Sequence, residues 1–245
     1  MIIANNVTKT FGKLKALDNV SVNCLRGQTI ALIGPNGSGK TTLIKMILGM
    51  VVPSAGNILF EGQNIQQKWI YRNEIGYMPQ IGQYPENMTI AQVLDMMKDI
   101  RKMPESQLDL ELYHAFNLPS LLGKRMGTLS GGTRQKVSAC LAFMFCPKAL
   151  ILDEPTAGLD PLSTEILKEK IQKEKNKNKL IIISSHVLSD LDDMVSQIIY
   201  LQDGQLIFHK SLQQLKEDTG TQKLSKAIAQ IMTVPNHPNK GAVHE

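Results

Sequence analysis

The sequence predicts an α/β fold built around a mainly parallel sheet, because apolar runs alternate with segments of helical spacing. Residues 29–33 form a short apolar run typical of a buried strand, and the segment 42–48 after it has helical spacing. Two further apolar runs, 149–153 and 180–183, are separated by a long helical segment. Strand, helix and strand in that order indicate two parallel strands joined by a right-handed crossover.

The segments around these strands divide the chain further. Short alternating segments at 2–7, 19–24 and 56–61 predict a small β layer near the amino terminus. From Thr89 the pattern becomes helical, since Thr89 and Gln92 have the spacing of a capping box. The apolar residues that follow fall on one helical face: Ile90, Val93, Leu94, Met97 and Ile100. Residues 89–145 are therefore predicted to form a helical insertion.

The sulfur-containing residues favour a packed core over a metal site. Met96, Met97 and Met103 could form a methionine cluster, but methionine at helical spacing more often fills a core. Three cysteines have neither paired nor CxxC spacing: Cys24, Cys140 and Cys146. This argues against a disulfide framework or a zinc site and favours a reducing cytosol.

Charge and hydropathy add two expectations. The net charge of +5 is modest, and the lysine-rich run 168–179 is expected to be the solvated face of a helix rather than a contact with a polyanion or an anionic membrane. The amino terminus lacks the pattern of a secretory signal, and no stretch approaches the roughly 20 apolar residues that span a bilayer. Any membrane role would then depend on a partner.

The segment between the first strand and its helix has the full phosphate-loop pattern. It reads Gly34, Pro35, Asn36, Gly37, Ser38, Gly39, Lys40, Thr41. Its glycines permit backbone conformations in which successive N–H groups wrap a phosphate, and the start of a helix favours an anion. Lys40 can reach the β- and γ-phosphates, and the Thr41 hydroxyl can ligate Mg²⁺. A nucleoside triphosphate is the predicted ligand; a glycine-rich turn without a ligand is the alternative.

Two adjacent acids end the later strand. Asp153 and Glu154 follow the apolar run that begins at residue 149, and burial of an unpaired charge is costly. We expect Asp153 to hold Mg²⁺ and Glu154 to polarise the attacking water, although the same acids could cap the next turn.

A third motif carries a family resemblance. Ser130 before two glycines could be an ordinary helix N-cap. Together, however, Leu129, Ser130, Gly131 and Gly132 resemble the signature motif of ATP-binding cassette (ABC) proteins, at a similar place between Lys40 and Asp153.

The resemblance extends to about residue 215 and implies an architecture. It implies an ABC domain over 1–215, with a RecA-like P-loop NTPase core in 1–86 and 147–215. The core would carry an amino-terminal antiparallel β subdomain, and residues 87–146 would form an inserted α-helical subdomain. Residues 216–245 would be a short, partly disordered tail.

The same resemblance implies roles for further residues. Gln80 resembles the Q-loop glutamine that contacts Mg²⁺ and the attacking water, and His186 resembles the switch histidine on the γ-phosphate. Asp160 resembles the D-loop aspartate, although Asp160 before Pro161 is also a good N-cap and N1 pair. Thr42 would join the phosphate loop in binding ATP.

Two positions depart from the family pattern. Phe11 stands where the family more often has the tyrosine that stacks on adenine, and stacking needs only the ring face. Thr133 replaces the glutamine that usually follows the signature glycines. The Asn176 to Lys179 segment lacks the final aspartate of a guanine-reading motif, so ATP is preferred over GTP.

The resemblance also implies partners. In the family, the signature of one subunit covers the ATP held by the phosphate loop of another, so this chain would dimerise, most simply with a second copy. It would power a separate integral membrane permease from the cytoplasmic face of the membrane, with no nucleic acid expected. A soluble ABC ATPase acting on ribosomes or DNA is the alternative, and a non-hydrolytic ATP sensor is a third. Among transporters the chain is most similar to the ABC-2 type, and the segments 131–137 and 153–162 are similar to the copper-processing cassette of nitrous-oxide reductase maturation.

Overall fold

A computed structural model describes residues 1–185, 191–192 and 194–233. The described residues form ten strands: β1 (Ile2–Phe11), β2 (Leu14–Cys24), β3 (Thr29–Ile33), β4 (Ala55–Phe60), β5 (Gln63–Asn64), β6 (Ile75–Met78), β7 (Ala149–Asp153), β8 (Leu180–Ser184), β9 (Gln197–Gln202) and β10 (Gln205–Ser211). They also form seven α-helices: α1 (Lys40–Ile47), α2 (Ile90–Arg101), α3 (Glu111–Ala115), α4 (Gly131–Met144), α5 (Pro161–Asn176), α6 (Leu212–Thr219) and α7 (Leu224–Thr233).

The central sheet has six strands in the order β10-β9-β3-β8-β7-β6. Its inner neighbours are parallel, and only β10 runs antiparallel, against β9. The predicted parallel pair is confirmed, since β7 and β8 are adjacent and α5 connects them. Because carboxyl ends of parallel strands meet at one edge, the segments after β3, β7 and β6 lie at the same edge of the sheet, with β8 between β3 and β7.

Alternation along the buried strands assigns their side chains to two cores. On β3, Ile30 and Leu32 belong to one core, and Ala31 and Ile33 to the other. The first core lies against the four-stranded antiparallel sheet β2-β1-β4-β5 and includes the buried side of α1. The second includes α4, α5 and the helices near the carboxyl terminus. The predicted amino-terminal antiparallel layer is therefore present, and α1 is held between the two sheets.

The helical insertion begins as predicted. Thr89 Oγ1 accepts the Gln92 N–H at 3.2 Å, and Gln92 Oε1 accepts the Thr89 N–H at 2.9 Å, which completes the capping box. Ile100 was expected on the buried face but is 63% exposed. The next residue, Arg101, turns inward instead and donates to the carbonyl oxygens of Asn73 and Ile75.

Two further expectations concern the methionines and the carboxyl-terminal tail. Met97 and Met103 pack against the second core, as expected of core filling. Within the predicted tail, residues 216–219 belong to α6 and residues 224–233 form α7, in which Leu224 and Ala227 are fully buried. Residues 234–245 lie outside the described part of the chain.

The lysine-rich run is not simply a solvated face. Lys170 and Glu174 on α5 each have side chains only 1% exposed. The Lys170 ammonium contacts Asp109, and lies 2.8 Å from Glu111 and 3.2 Å from Glu174. The prediction is wrong for these two residues because Glu174, together with Asp109 and Glu111 at the start of α3, compensates the buried cation.

Glu174 in this cluster stays ionised despite its burial. Burial by itself raises the pKa of the Glu174 carboxyl, but hydrogen bonds from Lys177 and Lys179 outweigh it and lower the pKa to about 2. The cluster therefore joins the helical insertion to α5 through charged groups that are largely removed from water.

We expect Lys170→Met to lower the free energy of unfolding by about 3–5 kcal/mol, since it leaves buried carboxylates without their cation. Lys173→Met is the matched control: Lys173 is 56% exposed and pairs only at the surface with Glu111, so its loss should cost under about 1 kcal/mol. Urea denaturation measures both. Equal effects would contradict a buried, compensated Lys170.

Candidate active site

The phosphate loop is shaped by close backbone contacts at two glycines. Gly34 has φ +150°, and a Cβ there would lie 2.0 Å from the Leu201 carbonyl oxygen. Gly39 has φ +100°, and a Cβ there would lie 2.6 Å from the Ala16 carbonyl oxygen. Only glycine fits either position. The loop therefore lies between the end of β9 and the amino-terminal sheet.

The start of α1 is open to an anion. Its N-cap, Gly39, offers no side-chain hydrogen bond. Ser38 is 1% exposed, and its Oγ has no hydrogen-bond partner among the described residues. Backbone N–H groups in the first turn of a helix lack intrahelical partners and carry the positive end of the dipole. Together these groups form a cradle for a phosphate.

Lys40 lies across this loop. Its ammonium donates to the carbonyl oxygens of Gly34 at 2.8 Å and Pro35 at 3.0 Å. Partial burial lowers the pKa of Lys40, against the opposing charges of Glu154 and Asp153. A cation is thus fixed above the loop, close to two acids.

Most residues predicted for the site line one cavity of about 660 Å³. The predicted residues on its wall are Phe11, Asn36, Gly37, Ser38, Gly39, Lys40, Thr41, Thr42, Gln80, Asp153 and Glu154. The cavity is large enough for a nucleotide, because ligand pockets measure about 300–1,000 Å³. The structure therefore brings together an aromatic ring, a phosphate cradle and carboxylates.

The wall also includes residues that sequence reasoning missed: Leu14, Lys15, Ala16 and Asp203. Asp203 and Gly204 have φ +48° and +76° and form the two-residue turn between β9 and β10. An Asp-Gly pair between apolar segments is a strong hairpin signal that could have located this turn. The position of this turn beside the phosphate loop depends on the order of the strands in the sheet, which the Asp-Gly pattern does not predict.

The two acids after β7 are held differently. Asp153 is 7% exposed and accepts a hydrogen bond from the Ser184 hydroxyl on β8. Glu154 has φ +50° and accepts a hydrogen bond from Gln80 Nε2 at 3.0 Å. Neither caps α5, because Asp160 does so. Both acids line the cavity together with Gln80.

The signature residues 129–132 lie outside this cavity. Ser130 Oγ caps α4 by accepting the Thr133 N–H at 3.2 Å, and the Ser130 and Thr133 hydroxyls are 2.9 Å apart. The unusual Thr133 thus supports the cap. None of residues 129–132, all of them described, lines the cavity that holds the phosphate loop.

The start of α4 packs against the segment before α5. A Cβ on Gly132 would lie 2.7 Å from the Gly158 carbonyl oxygen. Asp160 caps α5 by accepting the Ser163 N–H at 2.8 Å, which confirms its N-cap reading, and accepts from Lys136 Nζ at 2.8 Å. The hydrogen bond from Lys136 lowers the pKa of the Asp160 carboxyl. His186 lies outside the described residues.

Comparison with known proteins decides the family. A family model described as "ABC transporter" matches residues 17–157, more than half of the chain. The chain belongs to the ABC transporter family. This ABC protein is the ATPase subunit of a membrane transporter, as predicted, and its predicted fold is confirmed.

Its relatives agree with that assignment. An uncharacterized ABC transporter ATP-binding protein, YhaQ of Bacillus subtilis, is 33% identical over 92% of this chain and 76% of its own length. The lantibiotic transport ATP-binding protein SrtF of Streptococcus pyogenes is 32% identical over 86% of this chain and 90% of its own length. The bacitracin transport ATP-binding protein BcrA of Bacillus licheniformis is 31% identical over 89% of this chain and 72% of its own length.

A solved structure supports the fold of the ABC ATPase. The ATP binding subunit of an ABC transporter superposes with a TM-score of 0.88 at 27% identity, over 95% of this chain and 100% of that one. In the described part of the present chain, no helix is long and apolar enough to cross a membrane.

We expect neighbouring glycines of the signature to respond oppositely to alanine. Gly132→Ala should lower the free energy of unfolding by about 1–3 kcal/mol, because its Cβ would overlap the Gly158 carbonyl. Gly131→Ala is the control, since no described atom lies within 4 Å of a Cβ there, and it should leave stability unchanged or raise it by up to about 1 kcal/mol. Urea denaturation without nucleotide measures both; a stable Gly132→Ala variant would disprove the close approach.

Proposed function

We propose that this ABC ATPase hydrolyses ATP in composite sites, each built from the phosphate loop of one subunit and the signature of a second copy. The observation that carries the proposal is the separation within one chain. Gln80, Glu154 and Lys40 line one cavity, whereas Ser130 caps α4 away from it. One chain thus offers the two halves at different places.

The open end of the cavity is where a second subunit would act. Ser130 and the first turn of α4 present a helix start, which is suited to an anion. Gly132 and Asp160 hold this helix start against the segment before α5. In the composite site these elements would approach the γ-phosphate together, with ATP between the subunits.

The proposed roles follow from the geometry of the cavity. The phosphate loop and Lys40 would hold the β- and γ-phosphates, and Phe11 would stack on adenine. Glu154, held by Gln80, would accept a proton from the attacking water as the bond from the γ-phosphorus to the bridging oxygen of ADP breaks. His186 is proposed to contact the γ-phosphate.

Mg²⁺ is the proposed cofactor. Thr41, Gln80 and Asp153 supply a hydroxyl, an amide and a carboxylate to the same cavity, and oxygen atoms of these kinds are the ligands that Mg²⁺ prefers. When bound, Mg²⁺ would neutralise charge on the β- and γ-phosphate oxygens. The Ser184 hydroxyl bond fixes Asp153 for this task.

The proposed output partner is an integral membrane permease. Exposed apolar side chains occur beside the turn at Gly49: Met50 (62% exposed), Val52 (57%), Trp69 (65%) and Ile70 (67%). Arg72 donates to the Gly49 carbonyl, which brings their two segments together. Such a patch on a single chain is typical of a protein contact. We place the ATPase on the cytoplasmic face of the membrane. An integral membrane protein should therefore co-purify with it from a detergent extract.

The transporter subtype is also a proposal. We assign the chain to the ABC-2 type, with the copper-processing cassette of nitrous-oxide reductase maturation as the more specific candidate from residues 131–137 and 153–162. Relatives named for lantibiotic and bacitracin transport favour cargo of those kinds instead. The permease would select between them.

We expect Glu154→Gln to accumulate as an ATP-bound dimer, because the phosphate contacts form while water is no longer activated. Light scattering should show a doubled mass with ATP but not with ADP. Glu165→Gln, which alters a 67%-exposed side chain on α5, is the control and should remain monomeric after turnover.

A second substitution tests the signature, which we propose that the other subunit contributes to the site. Ser130→Arg added to Glu154→Gln should abolish the dimer, because it places bulk and charge on the closing surface. A Glu154→Gln protein that stays monomeric with ATP, or a double variant that still dimerises, would contradict the composite site.

A further inference from the structure

The aromatic ring on the cavity wall has a cation on one face. Lys9 Nζ lies over the Phe11 ring, 5.0 Å from its centroid. An ammonium within about 6 Å of an aromatic centroid is attracted by the negative face of the ring. Phe11 remains 49% exposed and lines the cavity, so this contact leaves ring surface available to a ligand.

Lys9 is held in place by the neighbouring loop. Its ammonium donates to the Val52 carbonyl at 2.8 Å. The same loop is bonded to β1 on both sides of Lys9, since the Ser54 N–H donates to the Thr8 carbonyl at 2.7 Å and Ser54 Oγ accepts the Thr10 N–H at 3.2 Å. The cation is therefore fixed beside the ring by three contacts between two segments.

A fixed cation changes what the other face of the ring can bind. Two aromatic rings stacked face to face repel through their negative faces, which is why unmodified pairs prefer offset or edge arrangements. A cation on one face of Phe11 draws π-electron density toward itself, so the opposite face becomes less negative. A purine, whose own face is electron-rich, then stacks on it more favourably.

We propose that Lys9 is a positioning residue for the nucleotide base, which acts through Phe11 by strengthening its stacking on adenine. The inference rests on the proposed role of Phe11 and adds a residue that touches no part of the nucleotide itself. Phenylalanine lacks the hydroxyl of the tyrosine that is more usual at this position. The Lys9 ammonium offers a different way to alter the electron density of the ring.

The test compares ligands with and without a base. We expect Lys9→Met to weaken ATP binding about two- to fivefold by calorimetry, with inorganic tripolyphosphate binding unchanged. Lys9→Arg, which keeps a cation at the ring, should bind ATP within about twofold of the unaltered protein. Lys13→Met removes the same charge from the exposed tip of the β1–β2 hairpin and should bind ATP normally.

A double-variant cycle separates the inference from the assignment beneath it. Phe11→Leu alone should weaken ATP binding, and adding Lys9→Met to it should cause no further loss. If Phe11→Leu binds ATP normally, the proposed adenine site is wrong. Suppose instead that Phe11→Leu weakens ATP binding. The proposed role of Lys9 is then wrong if Lys9→Met leaves ATP binding unchanged or weakens tripolyphosphate binding equally. It is also wrong if the effect of Lys9→Met remains in the Phe11→Leu background, or if Lys9→Arg binds ATP as weakly as Lys9→Met.

Discussion

The close approach of the phosphate loop to two backbone carbonyls is the constraint on which the site depends. At Gly34 and Gly39 a side chain would collide with the carbonyl oxygens of Leu201 and Ala16, which belong to different sheets. The loop can therefore form only where the end of β9 and the amino-terminal layer meet. This junction also places Phe11 and the turn at Asp203 on the wall of the same cavity.

The same packing keeps the start of α4 away from the cavity that holds the phosphate loop. The parallel order puts the ends of β3, β7 and β6 at one edge of the sheet, which gathers Lys40, Gln80 and Glu154 without any contribution from α4. The start of α4 is instead fixed to the segment before α5, through Gly132 and the Lys136–Asp160 pair. One arrangement of strands and helices thus separates the phosphate loop from the start of α4, as the proposed shared site requires.

Features set by local chemistry could be predicted from the sequence, and features set by distant contacts could not. The motif of the phosphate loop, the capping box at Thr89 and the N-cap at Asp160 are each recognised from residues within a few positions of one another. Lys170 is buried because carboxylates 59 to 61 residues away compensate it. The place of Lys9 beside Phe11 likewise depends on the loop at Val52, which the spacing of β1 does not reveal.

The most direct test of the divided site is complementation between two inactive proteins. Lys40→Ala lacks a working phosphate loop and Ser130→Arg lacks a working signature, yet a mixed dimer would join the intact half of each into one complete site. Steady-state ATP hydrolysis of an equimolar mixture should exceed the sum of the separate proteins several-fold. A rate equal to that sum would contradict the claim that two subunits share each site.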